Sequence, residues 1–98
     1  MRGYSMENQT IDKNHENQMI AEVPIGAIFE HYSGKKYKIL GVGRHSETLG
    51  LCVIYQGLQD CKAFGANPVW IRPLAMFLEN VVIEGKEQPR FRLLSGDR

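Results

Sequence analysis

The stretch Lys36–Gln56, KYKILGVGRHSETLGLCVIYQ, decides how this chain folds. In its first part Tyr37 and Ile39 alternate with Lys36 and Lys38, the two-residue period of a half-buried strand. Leu40 and Val42 then bring apolar residues to the second face, which predicts that the far end of this strand is covered on both sides. Gly43–Glu47 is a polar connection, and Thr48–Gln56 resumes the alternation with Leu49, Leu51, Val53 and Tyr55 on one face. Two alternating runs joined by a short polar link read as an antiparallel hairpin.

Working outward, Ala27–Tyr32 (AIFEHY) is an aromatic-rich strand ending at Ser33-Gly34-Lys35, where glycine supplies the positive φ of a tight turn. Downstream, Gly57–Pro68 is a longer loop with two glycines and a closing Asn-Pro. Val69–Arg72 (VWIR) is a short strand, and Pro73 fits the first position of a single helical turn over Leu74–Leu78. Met76 and Phe77 in that turn read as the plug of a small core. Val81–Glu84 and Arg90–Leu94 are two last strands around Gly85, with Phe91 packing inward. The expected fold is all-β: a small, strongly bent antiparallel barrel of SH3-like strand order with one short helical turn. Met1–Met19 is rich in Asn, Gln, Glu and Lys and has no regular period, so residues 1–21 are expected as a mobile tail before one domain over 22–98.

Composition narrows the function classes. The 98 residues carry 12 Lys+Arg and 11 Asp+Glu, a net charge of +1, which argues against a sequence-blind nucleic-acid coat. The longest apolar runs, Val23–Phe29 and Leu49–Tyr55, span seven residues each, far short of the about 18 of a membrane span. Two cysteines make no disulfide scaffold and fit a reducing cytoplasm. Cys52, inside an apolar run, reads as a small core residue, and Cys61, in the loop, as exposed. Three scattered histidines show no ligand spacing, so neither a metal nor a cofactor is expected. The charge is unevenly spread, however: Pro24–Phe77 holds six Lys+Arg against three Asp+Glu.

Three segments could carry chemistry. Arg44-His45-Ser46-Glu47-Thr48 offers a fixed cation, an imidazole, hydroxyls and a carboxylate, although a hairpin loop that satisfies its own polar groups explains the same residues. Trp70 and Arg72 share a strand face, where a ring beside a guanidinium can stack a planar ligand or hold an anion. The plainer alternative is a core Trp with an Arg paired to Glu47 or Glu30. His31 and Tyr32 close the first strand, and Tyr55 adds a further stacking face.

Together, His31-Tyr32-x-Gly34, Gly41-Val42-x-Arg44-His45-Ser46-Glu47-Thr48, Trp70-x-Arg72-Pro73, Met76-Phe77 and Pro89-Arg90-Phe91 resemble a small bacterial family, domain of unknown function 1653. The resemblance covers about Ile25–Leu93. It implies a compact cytoplasmic protein, marks Arg44–Thr48, Trp70 and Arg72 as shared positions, and supplies no reaction. It also implies that Gly57–Pro68 is an insertion, since members typically have a shorter link there.

The leading functional expectation is a binding module for a planar or anionic ligand such as a nucleotide, a nucleic-acid end or a modified base. In it Arg44 and Arg72 hold the anion, Tyr32, Tyr55 or Trp70 stacks, and Glu47 accepts hydrogen bonds. The alternatives are a protein–protein adaptor using an exposed strand edge and the tail, and a small hydrolase with His45 and Glu47 as its acid–base pair. No membrane partner is expected.

Overall fold

The computed structural model describes residues 12–95. The hairpin is its centre: β2 (Lys36–Arg44) pairs antiparallel with β3 (Leu51–Gly57), with Ile39 opposite Tyr55 and Val42 opposite Val53. Between Ile39 and Gly41 the register slips by one residue. That bulge returns Val42 to the face of Ile39, where it packs on the core, and leaves Leu40 exposed. The expected double-sided cover of this strand is therefore replaced by a change of phase. The connection is also longer than expected, because Leu49 takes a positive φ of 65° and β3 starts only at Leu51.

β1 (Ile28–His31) lies beside β2, β6 (Val69–Pro73) beside β3, and β9 (Phe91–Ser95) beside β1, giving a five-stranded antiparallel sheet in the order β6-β3-β2-β1-β9. The protein is mainly β, but the sheet does not close: β6 and β9 stay as its two edges among the described residues. The Gly57–Pro68 loop folds into a tiny hairpin, β4 (Asp60–Cys61) with β5 (Gly65–Ala66). A third ladder pairs β7 (Asn80–Ile83) with β8 (Lys86–Pro89), a strand whose KEQP sequence gave no apolar signal.

Pro73 has φ −54° and ψ 133°, so it ends β6 and caps rather than begins the single helical turn α2 (Leu74–Phe77). α2 presses Leu74 and Phe77 onto the inner sheet face, which Phe29, Ile39, Val53, Tyr55 and Phe91 make apolar. Phe77 is the expected plug, whereas its neighbour Met76 is 44% exposed. Phe91 stacks on Phe77 with ring centroids 3.9 Å apart and planes within 8°, and meets Tyr37, Tyr55 and His31 edge-on.

Where no regular structure was expected, Lys13–Ala21 forms a helix, α1. Asp12 caps it by accepting the His15 N–H at 3.1 Å, and Met19 and Ile20 pack on the core just before the buried Val23. With its apolar residues confined to the last turn, α1 has no stripe that a periodicity reading could find. The expectation for residues 1–11 falls outside the described residues.

Truncating Phe77 to Ala should cost about 3–5 kcal/mol in urea unfolding, and Met76→Ala under about 1 kcal/mol. The β7–β8 turn places Glu84 and Gly85 at φ 52° and 78°, the geometry that Asn-Gly favours. Glu84→Asn should therefore raise stability by about 0.5–1 kcal/mol in the same measurement.

Candidate functional site

The polar loop after β2 is occupied with itself and with α1. Arg44 Nη1 and Nη2 donate to the two Glu16 carboxylate oxygens at 3.1 and 3.0 Å, and Nη1 also donates to the Leu49 carbonyl at 2.8 Å. The Arg44 guanidinium holds the Glu16 carboxyl below the usual carboxylate range, and Glu16 in turn raises Arg44. His45 Nδ1 accepts the N–H groups of Glu47 and Thr48 at 3.1 and 3.2 Å, Ser46 Oγ donates to Glu47, and Thr48 Oγ1 accepts from Gly50 N–H. Residues 44–50 are all exposed. The segment bonds its own polar groups within the loop and, through Arg44, ties the hairpin to a helix that the sequence reading did not include.

Trp70 and Arg72 behave differently. β6 sets Trp70 opposite Tyr55 and Arg72 opposite Val53, on the same inner face as Tyr37. Beyond α2 that face opens into a cleft of about 270 Å³, walled by the rings of Tyr37, Tyr55, Trp70 and Phe91. Its polar groups are Arg72, His31, Ser33 and Lys35, and no carboxylate lines it. Arg72 pairs with neither Glu47 nor Glu30. Its Nε donates to the Tyr55 hydroxyl at 3.0 Å, and its guanidinium lies 5.6 Å from the Phe91 ring centre. Among the described residues Arg72 forms no ion pair, and Nη1 and Nη2 have no acceptor. Glu30 is taken by Arg92, and Glu79 by Arg90 at 3.3 Å.

The cleft is also electrostatically positive. His31 is held below its ordinary value of 6.5 by partial burial first, then by Arg72, Arg90 and Lys35. His31 Nδ1 lies 2.9 Å from Ser33 Oγ and accepts the Ser33 N–H at 3.1 Å, so the neutral ring carries its proton on Nε2. Burial likewise pushes Tyr37 up, helped by Tyr55. The neighbouring Tyr32 is 47% exposed and leans on the His31 ring at 4.2 Å. Together with His31, Glu30 and Arg92 it lines a second hollow of about 260 Å³, and it does not line the cleft. Of the residues singled out in sequence, His31, Tyr55, Trp70 and Arg72 converge, whereas Arg44–Thr48 sit at the other end of the hairpin. Arg44 is opposite Leu51 and Tyr37 opposite Gly57, a separation of roughly 20 Å along the strand.

The model of the family described as "Protein of unknown function (DUF1653)" matches residues 27–93. The chain belongs to the DUF1653 family. A crystal structure of a DUF1653 protein from Bordetella bronchiseptica is similar to it at 29% identity and a TM-score of 0.65, over 76% of this chain and 91% of that one. No curated protein matches. The DUF1653 match runs from before β1 to Leu93 within β9, takes in α2 and all eight residues of the cleft, and begins after α1.

Within this DUF1653 domain the Gly57–Pro68 segment also reaches the site. Phe64, beside β5, stands edge-on to Trp70 with centroids 5.4 Å apart. The sequence reading left Lys35 in a turn and Phe64 in a loop, and gave neither of them nor Tyr37 a part in binding. The alternation already puts Tyr37 on the Ile39 face, but seeing that it faces Trp70 requires the register of three strands. Cys52 and Cys61 are free and half-buried, between the core and surface positions expected of them. Among the described residues no three His, Cys, Asp or Glu side chains are grouped to hold a metal, and no helix is long and apolar enough to cross a membrane.

Because the folded chain holds His31 below 6.5, the unfolded chain binds its proton first as pH falls. The His31 contribution to stability is complete above that value and declines as pH drops through the lowered one. His31→Asn should flatten this part of the stability profile between pH 7 and 5.

Proposed function

We propose that this domain is a binding module whose aromatic cleft takes a small ligand with an anionic end and a planar part. The class includes nucleotides, nucleic-acid ends and charged modified bases. One observation carries the reading: among the described residues, Arg72 is half-buried, bonded only through Nε, and turned into a cleft without a carboxylate. A desolvated guanidinium normally has a counter-ion inside the protein. Here the natural place for that counter-ion is a ligand. Trp70 and Tyr37 supply faces for the planar part, and Tyr55 fixes the plane of the guanidinium. Arg44 and Glu47, expected to share in binding, have no part in it, and the exposed His45–Glu47 contact at 3.7 Å gives no enclosed acid–base pair to support a hydrolase.

The adaptor reading draws support from a different observation. Edge strand β6 turns Val69 and Ile71 outward, 53% and 69% exposed. A partner strand added there would be insensitive to Arg72→Ala.

Trp70 is the sole tryptophan, so its fluorescence reports on the cleft. A panel of nucleotides, short single strands and aromatic acids should contain ligands that shift it. Arg72→Ala should weaken those ligands about tenfold or more, and Arg44→Ala should not change them. A panel without any response from folded protein overturns the reading.

A further inference from the structure

Resting on that reading, we propose that the anionic end of the ligand is a phosphomonoester dianion joined to a single planar ring, with the phosphate on Arg72 and Lys35 and the ring against Trp70. Charge is the first reason. The lining residues bring two fixed cations and a neutral imidazole, with no acid among them, while Arg90 stands near enough to add to the potential at His31. A carboxylate or sulfate ester would leave one of the two cations unmatched, and a phosphate dianion matches both. Doubling the ligand charge doubles the Coulomb attraction at a given separation.

The arrangement of donors is the second reason. The Arg72 fork alone satisfies the two coplanar oxygens of a carboxylate. The cleft offers more than a fork. Tyr55 oxygen already accepts from Arg72 Nε, so its own proton is available to another acceptor, and the Lys35 ammonium and the His31 Nε2–H add donors from β1 and the turn after it. Donors arriving from β3, β6 and that turn surround a tetrahedral group with three terminal oxygens better than a flat one. Volume is the third reason. About 270 Å³ lies just under the usual small-molecule range of about 300–1,000 Å³, room for one ring and one phosphate but not for a dinucleotide.

His31 adds a dependence on pH. The groups facing it are Arg72 from β6, Arg90 before β9, Lys35 and Ser33 from the turn, the rings of Tyr32 and Phe91, and, across the second hollow, Glu30 of β1 paired with Arg92 of β9. The three cations disfavour the imidazolium, and a bound dianion offsets them, so binding takes up protons at His31.

The test titrates the full chain, by Trp70 fluorescence and calorimetry at pH 7.5, with phenyl phosphate, phenyl sulfate and benzoate, then with adenosine monophosphate and a 5′-phosphorylated oligonucleotide. The sulfate has the shape of the phosphate with one charge fewer. Phenyl phosphate should bind at least about tenfold more tightly than either monoanion. Lys35→Gln, at an exposed position, should bring the phosphate-to-sulfate ratio close to one, and His31→Asn should abolish the proton uptake seen between buffers of different ionisation enthalpy. Equal affinity for phosphate and sulfate, or a preference for benzoate, overturns the dianion assignment while the anion cleft stands. Silence from all five ligands removes both. Equal affinity for the mononucleotide and the oligonucleotide assigns the site to a terminal phosphate on either, and loss of binding to the oligonucleotide assigns it to the free small molecule.

Discussion

The stack of Phe91 on Phe77 is the contact on which the rest of this molecule depends. Phe77 comes from the single helical turn that follows β6, and Phe91 from the first residue of the edge strand β9. Their parallel rings tie the two open edges of the sheet together across its inner face. Among the described residues no backbone ladder does so, because the strand order ends at β6 and β9. An open sheet of five strands can thus keep a curved inner face through side chains alone. The far surface of Phe91 then becomes the floor of the cleft, where Arg72 lies over it and Tyr37, Tyr55 and His31 meet its edges.

The ion pairs give the cleft its character. Arg44, Arg90 and Arg92 each find a carboxylate, on Glu16, Glu79 and Glu30 respectively. These pairs sit at the surface, where they contribute modestly and weaken with salt. Arg72 is the exception in that pattern, and it is also the one of the four that faces the aromatic cluster. The near-zero net charge of the chain therefore coexists with an arginine that, among the described residues, faces rings and no carboxylate.

Much of this was legible in the sequence, for reasons that can be named. The β2–β3 hairpin was legible because its period is two and its link polar. The turn at Gly34 was legible because glycine there takes φ 100°, and α2 because proline interrupts a strand. The bulge at Leu40 was not, since a phase slip leaves composition unchanged and shows only in the pairing with Ile54 and Tyr55. α1 escaped because an N-cap, a salt bridge to a residue 28 positions away and two adjacent apolar side chains hold it, none of them periodic. The site divided along the same line. Trp70 and Arg72 share a face by local alternation. Which of Arg44 and Arg72 would find a carboxylate depended on Glu16, in a helix that local pattern did not announce.

The small hairpin β4–β5 is fastened only at its base. Gly57 N–H donates to the Pro68 carbonyl at 2.8 Å, Leu58 N–H to the Lys36 carbonyl, and Lys36 N–H to the Gln59 side chain, which together seal the point where the segment leaves the sheet. Everything beyond that seal can change length or sequence without disturbing the pairing of β3 with β6. Its Phe64 nevertheless overhangs Trp70. The fold therefore divides the cleft between a floor held by the sheet and α2 and a brim carried on one surface hairpin, so a change within that hairpin reaches Trp70 while the guanidinium and its aromatic floor stay in place.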